Sequence, residues 1–422
     1  LGAGGLLLTF GADCSSLWTL LLVGTVLAYD YLHKTWQGGF VLMGGCRLFL
    51  WLAAATSGEL NEKKDNAILV ATGLSPSAHI CSSLDDPSDG WWENIVGEDK
   101  YIDTQKYFVI CINSLGSCYG SSGPASHKPD TEERYGLSFP EVTIEDIALS
   151  MKPVIDELGI KTLYSIIGPS MGGMTALSLV KQFPSIAKNL VLISTAAACR
   201  PFSIAVRSLQ RKLITSDQNW NEGKYRDEDL PLNGMKQARY LGMVTYRSPT
   251  EWNNRFGRKK SESTPRPEDF SSNRFEIQDY LKSRSDDFVT DFDPNSYLYL
   301  SRCIDMFDLL EENQTIEEVV ENFNVDHVLI IGVDEDYLFP FDCHEELFDG
   351  FKSASKDVSI KKLPSLHGHD SFLVDHENFG SSIKEFLDQD ELINLMKKNQ
   401  FQKCEYLNLN GGIVAIHSGW KI

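Results

Sequence analysis

Five short apolar runs punctuate this chain: Ala67-Ile68-Leu69-Val70, Tyr107-Phe108-Val109-Ile110-Cys111, Leu163-Tyr164-Ser165-Ile166-Ile167, Leu190-Val191-Leu192-Ile193 and Val328-Leu329-Ile330-Ile331. Each is followed by Gly, Ser, Asn or Asp, as expected where parallel strands empty into loops. Helix-forming segments lie between them. In one, Thr143 and Asp146 form a capping box with Asp in place of the usual Glu. Ile144, Ile147, Met151 and Ile155 then recur at helical spacing, and Gly159 closes the segment. Strands alternating with helices predict an α/β protein with a doubly wound, mostly parallel sheet.

The rhythm breaks between Pro201 and Val325, a stretch poor in β runs and rich in charge, aromatics and helix formers. An insertion between two core strands is the expected form of a lid that shapes a pocket and excludes water. Within it, Arg258 to Asp269 reads as an exposed, flexible loop. The chain thus divides into an atypical hydrophobic segment 1–56, a first core part 57–200, a helical lid 201–325, a second core part 326–390 and a tail 391–422. The tail, from Lys397 onward, suggests no function.

With 422 residues, 42% hydrophobic and 23% charged, the chain has an ordinary globular composition. A net charge of -20 argues against a nucleic-acid partner. The nine cysteines are scattered, with no C-x-x-C or metal-type spacing, so free thiols in a reducing compartment are the default and no metal is expected. Two apolar stretches stand near the start, Leu17 to Tyr29 and Phe40 to Ala55. The first is short for a bilayer span and the second carries Arg47, so a membrane partner is not expected. The chain lacks an initiating Met, which suggests a fragment or a processed product. A membrane or import signal, buried strands and a mis-assembled exon remain three open readings of this region.

Gly168-Pro169-Ser170-Met171-Gly172 follows the third apolar run and opens a helix-like segment, Met174 to Phe183. The pattern G-x-S-x-G between strand and helix is a nucleophile elbow, with small residues permitting a sharp turn at Ser170. A serine nucleophile needs a base and an acid that orients it, each on a loop after a later strand. The acid loop is Gly332-Val333-Asp334-Glu335-Asp336, and the base loop, after the strand-like Val358 to Leu363, is His367-Gly368-His369-Asp370. Residue types and order leave Asp334 against Asp336, and His367 against His369, undecided. An oxyanion hole needs two backbone N–H groups: Met171, next to the nucleophile, and Leu74 in the loop after the first core strand, with Gly73 next in order.

Several stretches go beyond a generic hydrolase. They include Gly58-Glu59-Leu60-Asn61, Gly90-Trp91-Trp92-Glu93 and the loop from Asn113 to Pro124. Phe139 to Ile144, Ser170-Met171-Gly172-Gly173-Met174 and Ala238-Arg239 ahead of Thr245-Tyr246-Arg247-Ser248 continue the set. Asp291 to Tyr297, Asp336-Tyr337-Leu338-Phe339-Pro340 and Gly368-His369-Asp370-Ser371-Phe372-Leu373 complete it. In these marks, from about Ser57 to Asp388, the chain resembles the homoserine and serine O-acyltransferases of the α/β-hydrolase superfamily.

The resemblance implies an α/β-hydrolase fold with an inserted helical lid, and a Ser170, Asp336, His369 triad. It implies transfer of an acyl group, acetyl before succinyl, from acetyl-CoA or succinyl-CoA to the hydroxyl of L-serine or L-homoserine through an acyl-serine. That reaction belongs to cysteine or methionine biosynthesis. Arg239 would hold the acceptor carboxylate with Tyr246 beside it, and Asp370 its ammonium group. Arg255, Arg258, Lys259 and Lys260, the densest basic cluster, are candidates for coenzyme A phosphates. No permanently bound cofactor is implied; a homodimer is. Thr72-Gly73-Leu74-Ser75-Pro76-Ser77-Ala78-His79 looks more like the serine-acting relatives, and Pro169 replaces a commoner Gly or Ser. Leu27 to Trp36 and Ser57 to Asn61 look like two halves of one hairpin, separated by the hydrophobic Gly38 to Ala55. Cytoplasm and mitochondrion both fit, and a serine esterase on the same scaffold is the alternative activity.

Overall fold

The computed structural model describes residues 54–83, 86–128, 131–226, 228–262, 270, 272–398, 401–409 and 414–421. The readings made for residues 1–53 lie outside the described residues, as does most of the loop from Arg258 to Asp269.

A seven-stranded sheet organises the chain. Its strands are β1 (Ala55–Ser57), β2 (Ala67–Ala71), β5 (Phe108–Ile112), β6 (Leu163–Pro169), β7 (Ala187–Ile193), β8 (His327–Val333) and β9 (Val358–Leu363). Their spatial order is β1-β5-β2-β6-β7-β8-β9, with β3 (Val96–Gly97) and β4 (Ile102–Asp103) forming a separate small pair. All neighbours in the large sheet run parallel except the edge pair β1 and β5. β7 begins three residues before its apolar run, because Ala187, Lys188 and Asn189 continue the ladder beside β6. The Asn189 amide is tied to the Tyr164 carbonyl at 3.0 Å, which lets a polar residue join a buried strand.

Alternation along the strands divides the core into two layers. Leu69, Ile110, Ile166, Leu190 and Ile330 face α1 (Ile144–Glu157), α2 (Met171–Gln182) and the inserted helices. Ile68, Val109, Ile167, Val191 and Leu329 face Trp92 and the helix carrying Phe379 and Ile383. α1 starts where the capping box was expected. The Thr143 hydroxyl accepts from the Asp146 N–H at 3.2 Å, and the Asp146 carboxylate accepts from the Thr143 N–H at 3.0 Å.

Between β7 and β8 the chain forms α3 (Pro201–Thr215), α4 (Leu232–Tyr246), α5 (Pro249–Arg255), α6 (Glu276–Asp291), α7 (Pro294–Met306) and α8 (Ile316–Val320). After β8 come α9 (Phe341–Ser353), β9, α10 (Ser371–Val374) and α11 (His376–Lys398), then an antiparallel hairpin of β10 (Phe401–Leu409) and β11 (Val414–Lys421). Among the described residues no helix is long and apolar enough to cross a membrane.

Phe379 is fully buried where α11 covers the sheet, whereas Leu209 on α3 is largely exposed. Phe379→Ala is expected to lower unfolding free energy by about 3–5 kcal/mol. Leu209→Ala should change it by less than about 0.5 kcal/mol. Urea unfolding of both variants checks the contrast.

Candidate active site

Ser170 stands between β6 and α2 with φ 55 and ψ -123, a conformation L-residues rarely adopt. Two glycines make this turn feasible. A Cβ on Gly168 would strike the Gly172 carbonyl, and one on Gly172 would strike the Ala71 carbonyl at the end of β2. The Ser170 N–H donates to the Ile193 carbonyl at 2.8 Å, anchoring the turn to β7. α2 begins directly after Ser170 rather than at Met174, so Met171 supplies the first amide of a helix whose N-terminal N–H groups lack intrahelical acceptors. Leu74 lies partly buried in the loop beyond β2, and Gly73 in that loop approaches the Pro169 carbonyl.

The structure brings Ser170, His369 and Asp336 into one line. His369 Nε2 lies 2.9 Å from Ser170 Oγ, and Nδ1 lies 2.8 Å from Asp336 Oδ2. Asp336 Oδ1 accepts from the backbone N–H groups of Leu338 and Phe339, both at 2.9 Å. These two bonds fix the carboxylate, leaving Oδ2 to orient the imidazole. All three side chains are buried. Burial pulls the His369 pKa down, but the charge of Asp336 and its hydrogen bond, with help from Asp370, outweigh it and raise the pKa above the usual 6.5. Phe339, Phe372 and Tyr246 surround the ring, with centroids 5.4, 5.7 and 6.0 Å away. The other candidates point elsewhere: Asp334 pairs with Lys362 at 2.6 Å, and His367 faces Glu251 at 3.4 Å.

A cavity of about 880 Å³ is lined by Arg239, Arg247, Arg255 and Asp370 among others; it reaches the base loop at His367 and Asp370, while Ser170, Asp336 and His369 are not among its lining residues. The Arg239 guanidinium lies 4.4 Å from the Phe288 ring centre, and its Nε has no hydrogen-bond partner. Tyr246 closes α4 next to His369 and near the buried Tyr297. Asp370 already carries a cation, since its Oδ2 accepts from Arg247 Nε at 2.8 Å. Arg247 also donates to Glu251 at 3.0 Å. Arg258 and Lys259 are not among the cavity's lining residues: Arg258 lies over Phe275 and Lys259 faces Glu276 at 3.8 Å.

Sequence reasoning missed the Arg247–Asp370 pair, which joins residues 123 positions apart. It also missed Arg207 and Arg211, which share the buried Asp305 at 2.5 and 2.7 Å. The one available signal was Arg247 itself, within the Thr245 to Ser248 stretch.

Comparison with known proteins agrees with this fold. A model for the alpha/beta hydrolase fold matches residues 66–340. A serine O-succinyltransferase of Stenotrophomonas maltophilia is 46% identical over 338 residues, covering 80% of this chain and 91% of that protein. An L-serine/homoserine O-acetyltransferase of Streptomyces lavendulae is 45% identical, with 83% and 95% covered. The chain belongs to the serine and homoserine O-acyltransferases. Among solved structures of this fold, a homoserine O-acetyltransferase from Bacillus anthracis superposes with a TM-score of 0.73 at 25% identity, covering 80% of this chain and 91% of that one. An esterase superposes at 0.72 with 29% identity, covering 79% and 93%. A ubiE/COQ5 methyltransferase model also matches residues 371–421, the stretch holding α10, α11 and the terminal hairpin.

A base with a raised pKa is neutral only above that pKa, so protonation should silence Ser170 as pH falls. Labelling of Ser170 by a fluorophosphonate should rise with pH along a limb whose midpoint lies above 6.5. Asp336→Asn should slow labelling by on the order of 10³–10⁴-fold.

Proposed function

We propose that this chain transfers an acyl group from a coenzyme A thioester to the hydroxyl of L-serine or L-homoserine. The observation that carries the reading is the hydrogen-bonded Ser170–His369–Asp336 line, with Asp370, the next residue after His369, lining a cavity that also holds Arg239. In the first half-reaction Ser170 Oγ attacks the thioester carbonyl while His369 Nε2 takes its proton. The oxyanion develops against the N–H groups of Met171 and Leu74. Its collapse breaks the C–S bond, and the proton on His369 leaves with the coenzyme A thiol. In the second, the acceptor hydroxyl gives its proton to His369 and attacks the acyl-serine. Collapse releases the O-acyl amino acid, and the proton returns to Ser170.

The same base and oxyanion site serve both halves, so the amino acid must occupy the place water would take. Arg239 meets its carboxylate with Tyr246 alongside, and Asp370 meets its ammonium group. With Arg247 against one oxygen, Asp370 is held in position to receive that second cation. Burial of Ser170 and His369 limits access of water to the ester. The relatives' names include both acetyl- and succinyltransferases, so both donors belong in the assay. An esterase of similar fold makes hydrolysis the competing reading.

Thiol release from acetyl-CoA or succinyl-CoA should require L-serine or L-homoserine and should fall by at least about 10³-fold in Ser170→Ala. Arg239→Ala should raise the acceptor KM by about 10- to 100-fold, the loss of charge-assisted bonds to a carboxylate. Equal Ser170-dependent release without an amino acid would make the protein a hydrolase.

A further inference from the structure

The cavity that Asp370 lines is graded in exposure from one wall to the other. Arg247 and Asp370, next to His369, have side chains only 14% and 19% exposed, whereas Arg255 and Arg284 are 44% and 60% exposed at the mouth. Their electrostatic settings also differ. Arg247 is compensated by Asp370 at 2.8 Å and Glu251 at 3.0 Å. Among the carboxylates of the described residues Arg255 approaches only Glu251, at the oxygen already bound to Arg247, and at 3.8 Å. The carboxylate nearest Arg284 is Asp287 at 3.7 Å, in an exposed pair that water screens. The mouth therefore carries two weakly compensated guanidinium groups on a chain whose net charge is -20.

Tyr280 holds these two arginines as a pair. The Arg255 guanidinium lies 4.3 Å from its ring centre and that of Arg284 5.7 Å. Contact with the ring orients the guanidinium planes and leaves their edge N–H groups available. Trp252 stands edge-on to the same ring at 5.9 Å. The wall also carries a buried donor without a partner among the described residues, Trp252 Nε1. Such a donor is costly to leave bare. Paired arginines with an aromatic shelf match a nucleotide that carries phosphate groups.

We infer that the mouth of this cavity binds the phosphoadenosine end of the acyl-CoA donor, with Arg255 and Arg284 on Tyr280 gripping its phosphates and Trp252 packing the base. The inference rests on the acyl-CoA reading proposed above and adds the residues that tell coenzyme A from a bare thioester. Of the basic cluster in the sequence, this keeps Arg255, replaces Arg258 and Lys259 with Arg284, and makes donor recognition a property of α5 and α6 together.

The test compares kcat/KM for acetyl-CoA (or succinyl-CoA) with that for the same acyl group on pantetheine, which lacks the nucleotide. Wild-type protein should prefer the coenzyme A thioester. Arg255→Ala and Arg284→Ala should each lower that ratio by about tenfold, through KM for the donor, as expected for lost charge-assisted phosphate contacts. The exposure of both side chains argues that the variants fold, and Arg284→Lys should recover part of the ratio. A wild-type ratio near one, or a ratio that falls in Arg258→Ala or Lys259→Ala but not in these variants, would overturn the inference while leaving acyl transfer intact. Failure of wild-type protein to use either thioester would overturn the acyl-transfer reading and this inference with it.

Discussion

The backbone of Ser170 is the constraint on which the site depends. Its positive φ belongs to a conformation that costs about 1–3 kcal/mol for a residue with a side chain. Three neighbours hold it there. Gly168 and Gly172 are close enough that a side chain on either would meet backbone, and Ile193 on the adjacent strand accepts the serine N–H. The turn exists because β2, β6 and β7 are neighbours in a parallel sheet, so the start of α2 rests on the end of β2. Removing the strand order would remove the strain, and with it the projection of Oγ toward His369.

A second dependence runs between the lid and the base. Gly368, with φ +62, lies against the backbone carbonyl of Tyr246, where α4 ends. Ser248 donates to the Leu366 carbonyl at 2.5 Å, and Arg247 binds Asp370. The loop that carries His369 is therefore gripped on one side by α4 and α5 and on the other by Asp336. Substitutions in the lid can thus reach the base without touching Ser170. The same grip places Arg239 and Tyr246, the residues proposed for the acceptor, on the helix that positions the loop of His369.

Features set by short-range physics were legible in the sequence. The elbow is a local pattern, and the Thr143 capping box needs only residues three apart, so both were read at the residues where the backbone forms them. The α/β-hydrolase fold followed from strands and helices in alternation and from the family resemblance. The start of α2 was read late because Met171-Gly172-Gly173 has weak helix propensity, which the strand-to-helix turn overrides. Asp334 and Asp336 are alike in type and position. The family resemblance picks out Asp336, and the physical reason stands only in three dimensions, where the N–H groups of Leu338 and Phe339 turn Asp336 inward and Lys362 draws Asp334 to the surface. The pairing of Asp370 with Arg247 joins loops 123 positions apart, and that of Arg255 with Arg284 across Tyr280 joins two successive helices. No local pattern announces either.

The central claim is that Ser170 carries the acyl group between donor and acceptor. Intact-protein mass spectrometry after brief mixing with acetyl-CoA or succinyl-CoA tests it most directly, with peptide mapping to locate the adduct. The account predicts a gain of one acyl group on the peptide containing Ser170, persisting without an acceptor and discharged on adding L-serine or L-homoserine. An adduct on another residue, no adduct with either donor, or discharge at the same rate whether or not an amino acid is present would contradict it.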